Sequence, residues 1–130
     1  MKIQESAENY LEAILMLEYR QGEVRSIDVA NALFVSKPSV SYAMKRLREN
    51  GYVEMDSAGR LTLTAGGRTI AQKVYEKHEL LTEYLQAIGV DYATARADAC
   101  RMEHAISQTS FEKIREHLRG EKREDRGEHK

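Results

Sequence analysis

Cysteine occurs once in the 130 residues, at Cys100. No internal disulfide is possible, and the usage suits a reducing cytoplasm. No apolar run approaches the ~20 residues that a membrane-spanning helix needs. The first residues, Met-Lys-Ile-Gln-Glu-Ser-Ala-Glu, lack the apolar stretch of a signal peptide. A cytoplasmic protein with no membrane partner is therefore expected. Charge of one sign is not in excess either: 20 Lys and Arg stand against 21 Asp and Glu, for a formal net charge of −1. A nucleic-acid binder with that balance must gather its positive charge locally. No internal repeat is visible. Residues 120–130 contain no apolar side chain and are expected to form a disordered tail.

What is present is enough for a core, with hydrophobic residues at 42% and charged residues at 32%. A chain this short often completes its core by association. Residues 6–20 read as a helix, with Tyr10, Leu11, Ile14, Leu15 and Leu17 near the helical period. A short second helix follows Ser26 and Asp28, with Ile27, Ala30 and Leu33 inward. Ser36 caps a third helix with Pro38 in its first turn, where a missing N–H costs little. On that helix Val40, Met44 and Leu47 form the buried face. Two strand-like runs, 52–55 and 61–63, flank the turn-like Asp56-Ser-Ala-Gly-Arg60. Three helices and a hairpin make a winged helix. A long helix from Ala65 to about Ile88, another from Asp91 to about Ile106 and a last one over 107–118 complete the chain. The expected class is mainly α: a winged helix-turn-helix domain over 1–72, then an all-helical domain over 73–119.

The open side of the third helix is polar and basic. Residues 36–50 hold Lys37, Lys45, Arg46 and Arg48 against one carboxylate, Glu49. Phosphates provide most of the affinity for DNA and base edges most of the selectivity. Ser36, Lys37, Pro38, Ser39, Ser41, Tyr42, Lys45 and Arg46 are the candidate DNA-binding residues, with Arg60 at the hairpin. A charged helix face alone is usually just a solvated one. The ordered set of short helix, tight turn, capped second helix and hairpin is what favours DNA.

Cys100, Glu103 and His104 stand at i, i+3 and i+4, so on a helix they share a face. Thiolate, carboxylate and imidazole together suit divalent transition metals. His78 lies mid-helix on the preceding element, and Asn9 and Glu12 form an i, i+3 pair on the first helix. Each has an ordinary structural reading: a buried thiol, a hydrogen-bonded Glu–His pair, a structural imidazole. Cys100 with His104 as nucleophile and base lacks a third group at a telling spacing.

The chain resembles the metal-dependent repressors of the DtxR/MntR family. The resemblance is carried by Ala7-Glu-Asn-Tyr-Leu-Glu12, Val35-Ser-Lys-Pro-Ser-Val-Ser41, Leu63-Thr-Ala-Gly-Gly-Arg68, Lys77-His-Glu-Leu-Leu81 and Ala99-Cys-Arg-Met-Glu-His104. It implies a winged-helix domain, a helical dimerisation domain and repression of metal-homeostasis genes when the ion is bound. It places the metal on Asn9, Glu12, His78, Cys100, Glu103 and His104. Iron-type members carry Cys at the place of Cys100, and manganese-type members carry Glu. At the place of Asn9 those branches have Met and Asp, and Asn is neither. Thr82 and Arg96 stand where the iron branch's ancillary site has a carboxylate and an imidazole. No SH3-like third domain is expected.

The reading is thus a repressor that binds a palindromic duplex operator as a homodimer. Its ion is Fe²⁺ ahead of Mn²⁺, with Zn²⁺, Co²⁺ and Ni²⁺ binding in vitro, and it has no small organic substrate. Two alternatives come from other classes: a winged-helix regulator that senses no metal, and a small metallohydrolase.

Overall fold

The computed structural model describes residues 5–123. The chain divides between Tyr75 and Glu76 into two compact units, inside one long helix and three residues beyond the boundary expected from the sequence.

The first unit contains α1 (Glu5–Gln21), β1 (Val24–Arg25), α2 (Ser26–Leu33), α3 (Lys37–Glu49), β2 (Val53–Met55), β3 (Arg60–Leu63) and the start of α4 (Ala65–Ala87). The strands form an antiparallel sheet in the order β1-β3-β2, with Val53 opposite Leu63 and Val24 opposite Leu61. The pleat sends Val24, Val53, Leu61 and Leu63 to one side. There they meet Leu11, Ile14 and Leu15 of α1, Val29 of α2, and Val40, Met44 and Leu47 of α3. Fully burying each such side chain contributes roughly 1.5–3 kcal/mol. Arg68 of α4 donates to Glu18 of α1 at 3.0 Å. This is the winged helix-turn-helix that the sequence predicts, with three differences.

β1 was not expected, since two residues are too few to show alternation. Ile27 was expected inward but is 41% exposed, while Val29 is fully buried. The helix begins at Ser26 rather than being capped by it, and Asp28 Oδ2 accepts from the Arg25 backbone N–H at 2.8 Å. Val29 and Ala30 face the core and Ile27 does not. Third, Phe34 at the end of α2 has φ 56°, the left-handed region. A non-glycine residue there costs roughly 1–2 kcal/mol. Ser36 caps α3 as expected: its Oγ accepts from the Ser39 N–H at 3.2 Å, and Pro38 falls in the first turn.

Thr64 joins the hairpin to α4. Its Oγ1 donates to the Gly51 carbonyl at 2.7 Å and accepts from the Gly67 N–H at 3.1 Å. The backbones come so close that a Cβ on Gly67 would lie 2.0 Å from the Tyr52 carbonyl oxygen, whereas one on Gly66 meets nothing nearer than 3.9 Å. Gly67→Ala therefore destabilises the first unit by about 3 kcal/mol or more, since backbone must move. Gly66→Ala is neutral or stabilising by up to about 1 kcal/mol, because alanine is the better helix former. Denaturant midpoints of the two variants check the contrast.

The second unit holds the rest of α4, then α5 (Tyr92–Ala105) and α6 (Gln108–Arg123). Gly89, at φ 107°, makes the turn after α4. Asp91 caps α5, accepting from the Thr94 N–H at 3.0 Å, and that backbone bond holds its carboxyl below the ordinary range. Leu81, Ala95, Ala99, Phe111 and Leu118 are buried. Lys77 and Arg115 lie 5.8 and 4.8 Å from the Phe111 ring centre. α6 continues to Arg123, past residue 120 where the tail is expected to start. Lack of apolar side chains prevents a core, but a helix end needs only good formers such as Glu121, Lys122 and Arg123. The remainder of that tail, 124–130, lies outside the described residues. No helix among the described residues is long and apolar enough to cross a membrane.

Candidate functional site

α3 is a thirteen-residue helix with three buried side chains, Val40, Met44 and Leu47, at i, i+4 and i+7. Burying that stripe leaves Ser36, Lys37, Pro38, Ser39, Ser41, Tyr42, Lys45 and Arg46 all exposed, as the sequence predicts. The face is partly ordered. Ser36 Oγ donates to Ser39 Oγ at 2.8 Å. Arg46 Nη1 donates to the Tyr42 hydroxyl at 3.1 Å, with the guanidinium 5.8 Å from the ring centre. Tyr42 and Arg46 are thus linked into one cationic unit on this face. Ser26 and Ile27 of α2 line a groove with Lys37, Val40 and Ser41 and extend this surface. The sequence reading missed that extension because it turned Ile27 inward.

Arg60 is not a free cation. Its Nε donates to Asp56 Oδ2 at 2.7 Å and its Nη1 to Glu23 Oε2 at 3.1 Å. Asp56 also accepts from the backbone N–H groups of Arg60 and Ala58, both at 2.9 Å. The Arg60 backbone bond is the largest cause holding the Asp56 carboxyl below the ordinary range. The Arg25 guanidinium donates to the Ala58 carbonyl at the hairpin tip. These bonds brace the wing. Asp56 stands at the other end of the same turn, but Glu23 is distant in the chain, and Arg25 had no signal at all.

In the second unit, α4 and α5 bring three of the expected metal residues together. His78 Nδ1 lies 3.1 Å from Glu103 Oε2, and His104 Nε2 lies 3.3 Å from Glu103 Oε1. Their side chains are 6%, 0% and 3% exposed for His78, Glu103 and His104. The His104 contact is close enough for an ion pair but not aligned as a hydrogen bond, so Glu103 Oε1 has no hydrogen-bond partner among the described residues. His78 Nε2 has none either. Buried polar atoms without partners cost about 1–3 kcal/mol each. His78 faces Glu103 through Nδ1, which leaves Nε2 as the ring nitrogen turned away from the carboxylate. A carboxylate, two imidazoles and two unsatisfied buried donor atoms fit a divalent transition metal. Cys100 stands one turn before Glu103 and His104 on α5, as the i, i+3, i+4 spacing sets it, and it is exposed. On α1, Glu12 is buried and Asn9 half-buried. The ancillary positions are otherwise engaged, Thr82 Oγ1 donating to the His78 carbonyl at 2.7 Å and Arg96 Nη1 to the Tyr92 hydroxyl at 3.2 Å.

Residues 2–60 match the N-terminal DNA-binding domain of iron-dependent repressors. Residues 64–129 match the metal-binding and dimerisation domain of the same repressors. The transcriptional regulator MntR of Escherichia coli O6:H1 is 37% identical over 111 residues, which cover 85% of this chain and 72% of that protein. The HTH-type transcriptional regulator MntR of Bacillus subtilis (strain 168) is 35% identical over 109 residues, 84% and 77% of the two chains. A manganese-dependent transcriptional repressor solved with manganese superposes with a TM-score of 0.80 at 29% identity, covering 86% of this chain and 52% of that one. IdeR of T. acidophilum gives 0.77 at 23% identity over 91% and 55%, a likeness of fold. The chain thus spans about half the length of these two structures. Two domain matches in tandem and relatives at this identity leave one conclusion: the chain belongs to the DtxR/MntR family of metal-dependent transcriptional repressors, a family of regulators and not of enzymes.

Proposed function

We propose that this protein is a cytoplasmic repressor of metal-homeostasis genes that binds duplex DNA when a divalent transition metal is bound. The observation that carries the metal half is the buried His78–Glu103–His104 cluster with its two unsatisfied donor atoms. Those three residues would hold the ion. Cys100 is added from its place one turn earlier on α5, and Glu12 and Asn9 from the sequence alone. The bound ion supplies positive charge that offsets the carboxylates. His78 and His104 orient Glu103, and the α3 face holds phosphates. Because ion and DNA favour the same state, each raises affinity for the other by the same factor.

The protein acts as a homodimer on a palindromic operator, two α3 helices lying ~34 Å apart or a multiple of it. In the second unit the apolar residues Ala95, Ala99 and Phe111 are already buried. Val90, Met102, Ile106 and Ile114 are half-buried, and Tyr92 is exposed. These five are what a partner copy has left to cover. A monomeric mass by light scattering, or an operator without inverted symmetry, contradicts the dimer.

The metal itself rests on two opposing facts. SloR is a manganese regulator, and another superposing repressor is manganese-dependent and was solved with manganese. The thiol of Cys100 favours the softer Fe²⁺. Fe²⁺ stands first and Mn²⁺ next, while Zn²⁺, Co²⁺ and Ni²⁺ bind in vitro without being physiological. Cys100→Glu is expected to improve the Mn²⁺ response relative to Fe²⁺ by roughly tenfold, about 1.4 kcal/mol. Half-activating ion concentrations for DNA binding, measured anaerobically and under reduction, provide the ratio. If the ratio does not move, Cys100 is no ligand. The same titration tests the whole reading: DNA binding that ignores every ion leaves a winged-helix regulator that senses no metal.

A further inference from the structure

We propose that Phe34 is a specificity-determining DNA contact, packing against a thymine methyl in each operator half-site. It rests on the DNA-binding reading above. Phe34 is 94% exposed, the most exposed of the large apolar side chains among the described residues. It is also the one non-glycine residue among them with positive φ, at 56°. Glycine there would relieve the backbone and remove the exposed ring together. At that exposure the phenyl group adds little to the packing of the first unit and is open to a partner.

The position says what covers it. Phe34 sits in the tight turn between α2 and α3, directly before exposed Val35 and the α3 cap Ser36. In the chain it immediately precedes the helix whose exposed face carries Lys37, Ser39, Tyr42, Lys45 and Arg46. That surface lies in the domain whose family match is DNA-binding. Lysine and arginine on the same surface attract the phosphates that flank a groove. An apolar ring beside them meets, in the major groove, the one apolar group that bases present, the C5-methyl of thymine.

The experiment uses the full chain loaded with Mn²⁺ and a duplex selected by that protein from a random pool. Phe34→Gly is compared with the parent for melting temperature, operator affinity and mass by light scattering. Each thymine in the half-site is then replaced in turn by deoxyuridine, which removes only the methyl. Phe34→Gly is expected to melt a few degrees higher, because strain is relieved, yet to bind the operator about fourfold more weakly per half-site, the equivalent of one buried methyl. One deoxyuridine position should weaken the parent by about the same factor and leave Phe34→Gly unaffected. Phe34→Asn, which tolerates the left-handed backbone, should behave as Phe34→Gly does. Operator affinity unchanged in both variants overturns the proposal, as does equal sensitivity of parent and variant to every deoxyuridine. A changed oligomeric mass with unchanged DNA affinity assigns the ring to a second protein copy instead and equally overturns it. A parent that selects no duplex sinks the DNA-binding reading itself, and this inference with it.

Discussion

Glu103→Gln should abolish metal-dependent DNA binding while leaving a folded protein. The carboxylate is fully buried between two imidazoles, with one oxygen 3.1 Å from His78 and the other unsatisfied. Glutamine keeps the shape but removes the charge that a divalent ion needs. An ion's affinity for the variant is expected to drop by at least a hundredfold, about 2.7 kcal/mol. Operator binding at saturating Mn²⁺ for the parent should then fall to the metal-free level. Stability separates this from misfolding. Without metal the variant should melt at or above the parent, since an incompletely paired buried carboxylate is gone. With ion at a hundred times its dissociation constant the parent gains about 2.7 kcal/mol and the variant gains little. A chelator should reverse the parent's gain. If Glu103→Gln retains both the thermal shift and the metal response, the cluster is a structural polar network and the ion binds elsewhere. His104→Ala should follow Glu103→Gln in direction, whereas Thr82→Val should leave metal response in place, because the Thr82 hydroxyl is committed to the His78 carbonyl.

How much of this was legible in the sequence depends on whether the signal was local. The α3 stripe was fully legible: Val40, Met44 and Leu47 repeat at helical spacing, and Ser36 with Pro38 marks where the helix starts. Once the start is fixed, the exposed residues follow from geometry. α2 was less legible because it is only eight residues long. Ile27, Val29, Ala30 and Leu33 crowd its two turns, so the apolar pattern does not decide which side faces inward, and Val29 rather than Ile27 is buried. The i, i+3, i+4 spacing of Cys100, Glu103 and His104 correctly set them on one helix. It did not say how deep each lies, and depth depends on what packs against α5. The wing shows the sharpest limit. Arg60 looked like a free cation, yet Glu23 lies 37 residues earlier in the chain. Such a bond follows only from the sheet register. Gly67 was visible as part of a motif, but its closeness to the Tyr52 carbonyl is a property of two backbones.

Lys45→Ala and Arg46→Ala are expected to weaken operator binding and flatten its salt dependence. Both side chains are exposed on the α3 face opposite Val40, Met44 and Leu47. Each phosphate neutralised by a cation contributes about 0.9 to the magnitude of the log–log salt slope. In a dimer one substitution removes two cations, so the slope should fall by about 1.8 and affinity at 0.1 M salt by roughly tenfold or more. The two variants should differ in one respect. Lys45 is a point charge on a flexible stem, so its loss should weaken all duplexes about equally. Arg46 also donates to the Tyr42 hydroxyl at 3.1 Å, so its removal frees the Tyr42 ring and should lower the discrimination between selected and random duplex as well. Tyr42→Phe isolates that second effect, because it breaks the hydrogen bond while keeping both cations, and the salt slope should stay at the parent's value. Neither alanine change touches a buried side chain, so melting temperatures should stay near the parent's. A salt slope unchanged in both variants would mean that α3 does not lie against the phosphates, and the DNA-facing surface of the first unit would have to be sought around Ser26 and Ile27 instead.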